Sequence, residues 1–303
     1  MDAAARSSDE RAADLWFGTS SWSAKGWVGP FYPSGTKPGD FLTHYARRYR
    51  TVEADVTYYR VPDRRLVAGW SAKLPEGFRM AAKFPRTIAH GGEAAQPDGA
   101  RVMTGARARA DTDAFLAGMA HLGAKRGPLL LQFPYFNRTA FSGVVPFLER
   151  LDAYLETLPR NIAVAVEVRN GNWIAPPLLD LLRARNAALA LVDLDYLPHP
   201  DELARRLGGL DLLLTANFGY VRLIGDRKAT EALTTTFDRT VIDRAPQLER
   251  WAVLIETLAT RLADIYVFAN NHFAGHGPAT IDALAARLAH ARGADDPDTS
   301  AAW

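Results

Sequence analysis

Glu167 and Arg169 carry the strongest chemical signal in this chain, because they close the run Ile-Ala-Val-Ala-Val-Glu-Val-Arg at 162–169. Every other residue of the run is small or β-branched and apolar, the composition of a strand covered on both faces. Side chains alternate across a strand, so Ala163, Ala165, Glu167 and Arg169 share one face while Val164, Val166 and Val168 share the other. A charge near the end of a buried strand costs several kcal/mol unless it is paired. The two residues therefore mark either a place for anion binding and proton transfer or a structural ion pair.

Comparable groups end other apolar runs. The first delivers Ser20, Ser21 and Trp22; the second carries Glu53 and Asp55 on one face, then Thr57, Tyr58, Tyr59 and Arg60. Lys83 ends a third run, Gln132 a fourth, Asp193 a sixth with Asp195 beyond it, Arg222 lies on a seventh, and Asn270-Asn271-His272 close an eighth. Lys83 is notable in a chain that prefers Arg. Beside the small Ala81, its amine can be desolvated and act as base or Schiff-base nucleophile, or stay charged and hold an anion. Cations at 83, 169 and 222 set against carboxylates at 53, 55, 167 and 193 allow two arrangements. One is a pocket that grips an anion and keeps a carboxylate for proton transfer; the other is an internal salt-bridge network.

Only a sheet of many strands could bring these groups together. Strand-like runs at 16–20, 51–56, 79–83, 129–132, 163–168, 188–193, 220–223 and 265–268 alternate with helical patterns at 37–49, 64–74, 107–123, 144–158, 176–185, 201–207, 246–263 and 278–292. Asp63 is a start signal for 64–74, and Pro176, Pro246 and Pro278 open their own helical stretches. Eight βα units in this length predict an α/β fold, a single (β/α)8 TIM-type barrel, in which chemistry is assembled at the C-terminal ends of the strands. No linker divides the chain, so one barrel domain is expected over 15–292, after a flexible N-terminal segment 1–14 and before a disordered tail 293–303 rich in Asp, Ala and Ser. The long stretch 84–106, with His90-Gly91-Gly92, interrupts the third unit, and loops of this length are usually functional or mobile, a lid over the barrel mouth being one such use.

Composition excludes more than it selects. The 303 residues are 48% hydrophobic, carry a net charge of +2 and contain no cysteine, which excludes disulfides, thiolate metal sites and cysteine nucleophiles. The small net charge gives no whole-molecule attraction to nucleic acid or to an anionic membrane. Residues 1–14 lack the apolar core of a secretory signal and no run is long enough to span a bilayer, so a cytoplasmic protein without a membrane partner is expected. No phosphate-binding Gly-rich loop and no Gly-x-Ser-x-Gly elbow is present. His272 and His276 have metal-ligand spacing, but Gly275 and Gly277 flank the second and disfavour a helix. Carboxylates at strand ends could hold a divalent ion, yet no recognised ligand pattern appears. No cofactor and no metal is predicted.

Several of these residues also form motifs. Gly18-Thr-Ser-Ser-Trp22, Trp27, Phe31-Tyr-Pro33, Val52-Glu53, Thr57-Tyr-Tyr-Arg60, Trp70, Pro75 with Phe78, Lys83 with Pro85, and Ile88-Ala-His90 are followed by Gln132-Phe-Pro134, Glu167-Val-Arg169, Trp173, Asp193, Val221-Arg-Leu223, Gly225 and Asn270-Asn271. From about Phe17 to about Ala285 the chain thereby resembles the DUF72, or YecE-like, family of (β/α)8-barrel proteins of undetermined function. The resemblance implies the barrel and a site at the strand ends, and no reaction. Ser21, Asp55, Tyr58 and Ala89 stand where that family usually has Gly, Asn, Phe and Thr, and Ile224 where His is common.

The expectation that follows is an enzyme, a hydrolase or lyase with no metal firmly predicted, acting on a small anionic or sugar-like substrate by general acid/base chemistry. Glu167, Lys83 and Asp193 are the candidate catalytic residues. Arg169, Arg222, Gln132, Asn270, Tyr58, Trp22, Glu53 and His90 are the candidate binding residues. Two rivals remain: nucleic-acid binding or processing by an endonuclease-like barrel, with aromatics stacking bases, and a non-catalytic ligand-binding scaffold. Aromatics at 22, 27, 58 and 173 would stack on sugar or base, or cap the barrel end.

Overall fold

The computed structural model describes residues 13–294. Among them eight parallel strands form one sheet: β1 (Asp14–Thr19), β2 (Thr51–Ala54), β3 (Arg79–Lys83), β4 (Arg126–Gln132), β5 (Val164–Glu167), β6 (Ala187–Asp193), β7 (Phe218–Leu223) and β8 (Asp264–Ala269). The hydrogen-bonded order β1-β8-β7-β6-β5-β4-β3-β2 curls the sheet until β1 and β2 stand side by side, and helices fill the connections. This is a nearly closed (β/α)8 barrel. Every predicted strand is present, β3 with the expected ends and the others with ends shifted by a few residues. β2 stops early because the Thr57 hydroxyl, bonded to Ala54 O at 2.9 Å and Lys83 O at 2.7 Å, turns the chain into the short helix Val56–Tyr59.

The predicted helices form the outer layer, with Asp63 capping Arg64–Lys73 through a 2.8 Å bond from Leu66 N. The exception is 37–49, where the only α-helical turns are Phe41–Tyr45, entered through a 3-10 turn at Pro38–Asp40. Of the segment expected to be flexible, residues 1–12 lie outside the described residues and Asp14 already pairs in β1. Of the expected tail, 295–303 lie outside them, and the last helix continues through Ala294. The stretch 84–106 contains the turn Arg86–Ala89, buries Ile88 and Val102, and is tied back by Met103 N to Ile88 O at 2.9 Å and by Arg150 to Gly99 O. No helix of the described residues is long and apolar enough to cross a membrane.

The barrel interior is filled unevenly. Alanines at 81, 165, 188 and 190 line the β3, β5 and β6 side, and the space they leave is taken by Trp16, Phe218, Tyr220, Tyr266 and Phe268 from β1, β7 and β8. Trp16 and Tyr266 stack at 5.7 Å. This aromatic plug closes the N-terminal end and leaves the polar residues to the other.

Between β1 and β2 a side chain replaces the ladder. Tyr45 Oη accepts from Thr19 N at 2.8 Å and donates to Thr51 O at 3.2 Å. Gly18 makes the approach possible, since a Cβ there would lie 2.3 Å from Thr51 O. Tyr45→Phe should therefore cost about 1–3 kcal/mol, the penalty of an unsatisfied buried amide, and Gly18→Ala should cost more because backbone must move. Urea denaturation midpoints check both; wild-type midpoints would show that the seam does not depend on them.

Candidate functional site

At the C-terminal end of the barrel the inward residues of five strands meet around Arg222. Its side chain is 1% exposed, and those of Glu53 and Glu167 are 0% exposed. Arg222 Nε donates to Glu53 Oε2 at 2.9 Å and Nη2 to Glu53 Oε1 at 2.8 Å, a two-pronged pairing across the barrel from β7 to β2. Nη1 donates to Glu167 Oε2 on β5 and to Gln132 Oε1 on β4 at 3.2 Å. Tyr220, one inward position below Arg222, donates its hydroxyl to Glu53 Oε2 at 2.7 Å.

Above this layer two cations reach the mouth. Lys83 Nζ lies 3.4 Å from Glu53 Oε1 with its side chain 10% exposed. Arg169 Nε donates to Glu167 Oε1 at 2.8 Å, its side chain is 25% exposed, and Nη1 and Nη2 have no acceptor among the described residues. Asp55, inward on the same face as Glu53, is half-buried. The Tyr58 ring lies 6.0 Å from Lys83 Nζ and meets the His90 ring edge-on at 5.8 Å.

The electrostatics separate the two levels. Burial pushes the Glu53 carboxyl up, but Arg222 and Lys83 outweigh it and hold the group at about 2. Burial likewise opposes ionisation of Glu167, and Arg222 with Arg169 overcomes it, leaving the carboxyl below its ordinary value. Both are fixed carboxylates. At the mouth the balance reverses: burial raises the Asp55 carboxyl despite Lys83, and burial with Arg222 lowers the Lys83 ammonium despite Glu53. Burial, Arg86 and Arg169 push His90 down to about 4, and burial lifts Tyr58 to about 12. His90 is therefore a neutral imidazole near pH 7, and its buried Nδ1 has no partner among the described residues.

The expected site residues thus divide. Glu53, Lys83, Gln132, Glu167, Arg169, Arg222, Tyr58 and His90 do come together. Arg222 and Glu53, expected to touch substrate, are instead sealed beneath the mouth because every polar atom they have is spent on a neighbour. Asp193 does not join them. It falls in the outward register with Leu189 and Leu191, accepts from Trp251 Nε1 at 2.5 Å, and braces a helix. Trp22 packs edge-on against Trp70 at 5.5 Å in the outer layer, Trp27 is buried, and Trp173 packs on Phe147 at 4.9 Å, so these aromatics are core. Asn270 stands at the mouth, but its Oδ1 is engaged by His272 N at 3.0 Å and His272 Nδ1 at 2.7 Å. Among the described residues no three His, Cys, Asp or Glu side chains are grouped to hold a metal ion. Tyr220 was missed, although its spacing of two from Arg222 placed it on the inward face. Asp55, in sequence one of four carboxylates set against the cations and not among the candidate site residues, stands at the mouth.

Acid should dismantle this cluster. The stability that Glu53 contributes is fully present above the ordinary carboxyl value of 4.5 and is lost as pH falls through about 2. Acid unfolding followed by circular dichroism should steepen in that window and flatten in Glu53→Gln. Arg222→Met, which strands two buried carboxylates, should cost about 3–5 kcal/mol at pH 7; a loss under 1 kcal/mol would mean that the cluster contributes little.

Comparison with known proteins agrees with this architecture. The chain is 29% identical over 161 residues to the UPF0759 protein YecE of Escherichia coli strain K12, a match covering 53% of this chain and 50% of that one, so it spans about half the length of that curated relative. The fold is similar to the crystal structure of a DUF72 family protein from Thermotoga maritima MSB8, with a TM-score of 0.65, 24% identity, and coverage of 92% of this chain and 98% of the other. It is also similar to a DUF72 family protein from Enterococcus faecalis V583, with a TM-score of 0.65, 19% identity, and coverage of 92% and 99%. The model of DUF72, a protein family of unknown function, matches residues 16–302, and the chain belongs to that family.

Proposed function

We propose that the chain is an enzyme that binds a small anionic substrate at the C-terminal mouth of the barrel and acts on it by general base chemistry. The observation that carries this reading is the pair of unspent guanidinium nitrogens of Arg169, held at the mouth by Glu167 and backed by Lys83. A guanidinium anchored through Nε presents Nη1 and Nη2 as a fork suited to a carboxylate or phosphate. Glu167 then serves as the anchor of Arg169, because a carboxylate held by two arginines is a poor proton acceptor.

Asp55 and Lys83 are the groups left to move protons. Their environments shift them toward one another, Asp55 up and Lys83 down, each within the field of the other. With the anion fixed on Arg169, the Asp55 carboxylate takes a proton from a substrate O–H or C–H, and the Lys83 ammonium stabilises the negative charge that develops. This fits hydrolysis or elimination, and His90 and Tyr58 flank the same space.

Calorimetric titration with carboxylate and phosphate metabolites tests the binding step: Arg169→Met should weaken an oxyanion about 10–100-fold, the loss of charge-assisted hydrogen bonds. For any substrate turned over, kcat/KM should rise as Asp55 deprotonates, above the ordinary Asp range, and fall as Lys83 deprotonates, below the ordinary Lys range. Asp55→Asn should remove the rising limb and about 10²–10⁴-fold of the rate. Oxyanion binding indifferent to Arg169, or a profile unchanged in Asp55→Asn, overturns the assignment.

One observation favours a second reading. Tyr59, Tyr135 and Tyr196 are exposed and follow β2, β4 and β6, on the mouth side of the barrel, where they could stack bases of a single strand. Retention of a short single-stranded DNA at low salt, lost in Tyr196→Ala and at high salt, would support it.

A further inference from the structure

The mouth has two chemically distinct halves. Strands β2 to β5 supply Asp55, Lys83, Gln132, Glu167 and Arg169, all ionic or polar. Strands β6 and β7 supply the opposite character. Register places Thr19 beside Ala269, Ala269 beside Leu223, and Leu223 beside Asp193. The next residues, Ser20, Asn270, Ile224 and Leu194, therefore form one inward rung at the top of the barrel. Val192 and Leu194 are buried in the interior apolar cluster, and Ile224 and Leu197 pack against it while half-exposed.

This apolar wall reaches the loop that follows Arg169. A Cβ on Gly171, two residues after Arg169, would lie 3.3 Å from Leu197 Cδ2, so the Leu197 side chain crosses from the β6 loop to the β5 loop. At the top of β8 the Asn270 Oδ1 is turned onto its own loop, where His272 N and Nδ1 engage it. At the edge of the rung Ser20 is 2% exposed, and its covered Oγ has no hydrogen-bond partner among the described residues. Partly exposed hydrocarbon beside an unspent guanidinium is costly in water and is covered by a ligand that is itself part anion, part hydrocarbon.

We propose that the ligand of this mouth is an oxyanion on a compact hydrocarbon body, aromatic or branched, and that a polyhydroxylated anion is the poorer fit. The inference rests on the reading of Arg169 as the anion anchor and narrows the substrate class of that same site. Hydroxyl groups laid on Ile224, Leu194 and Leu197 would lose water without gaining partners, whereas a ring or branched chain loses nothing there.

The test is calorimetric titration of the full chain with two matched pairs, phenylacetate against glycerate and phenyl phosphate against glycerol 3-phosphate. The aryl member of each pair should bind about tenfold tighter or more, the discrimination that a small apolar contact gives. Ile224→Asn and Leu197→Asn should each shrink that preference to within about threefold and leave the polar probes unchanged; Leu197 is in a loop, so its variant serves if the first does not fold. Arg169→Met should weaken all four. Equal or tighter binding of the polar members, still dependent on Arg169, overturns the inference and leaves the anion site standing. Binding of no probe in an Arg169-dependent way overturns both.

Discussion

The guanidinium of Arg222 is the charge on which the upper barrel depends. It is buried between two carboxylates that are themselves buried, and no one of the three could be carried there alone. Because Glu53 comes from β2, Gln132 from β4, Glu167 from β5 and Arg222 from β7, the cluster ties opposite walls of the barrel across its lumen. The strands below are packed by aromatic and alanine side chains of no particular direction, so the polar layer sets which residues stand at the mouth and in what order.

That layer also decides which groups are available for chemistry. Both carboxylates bonded directly to Arg222 are spent: they are held ionised and each of their oxygens has a partner. The reactive character moves one layer outward, to side chains that feel the cluster without being consumed by it. Arg169 is aimed by Glu167, Lys83 is restrained by Glu53, and Asp55 sits in their combined field. A rigid buried network supporting a few partly solvated groups is the arrangement that preorganised sites need, since the supporting side chains do not reorganise when a ligand arrives.

The barrel is closed by a different device on each side of β1. Toward β8 the ordinary ladder runs for the full strand, while toward β2 the Tyr45 hydroxyl bridges two backbones that Gly18 allows to come close. Trp27, one of the aromatics that in sequence could stack on a ligand, serves this outer shell instead. Trp27, Phe31, Tyr32 and Phe41 pack behind Tyr45 and fix its position, with Tyr32 and Phe41 stacked at 4.6 Å. Their chemistry is structural even though they lie within a few residues of the mouth.

Local sequence determined the strands, their number and the inward face of most of them. Apolar runs of this length have few alternatives, and the two-residue alternation assigns Glu53, Asp55, Lys83, Glu167, Arg169 and Arg222 to the lumen without reference to any partner. It failed at Asp193, an outward position whose polarity is explained by a Trp251 indole more than fifty residues away, and at Trp22, which is anchored by Trp70. What only the tertiary structure decided was which charges are paired and which are left over. Glu167 and Asp55 are both inward carboxylates in sequence, yet one is locked by two arginines and the other is not. Pairing depends on the heights at which neighbouring strands meet, and that register is a property of the closed barrel rather than of any one strand.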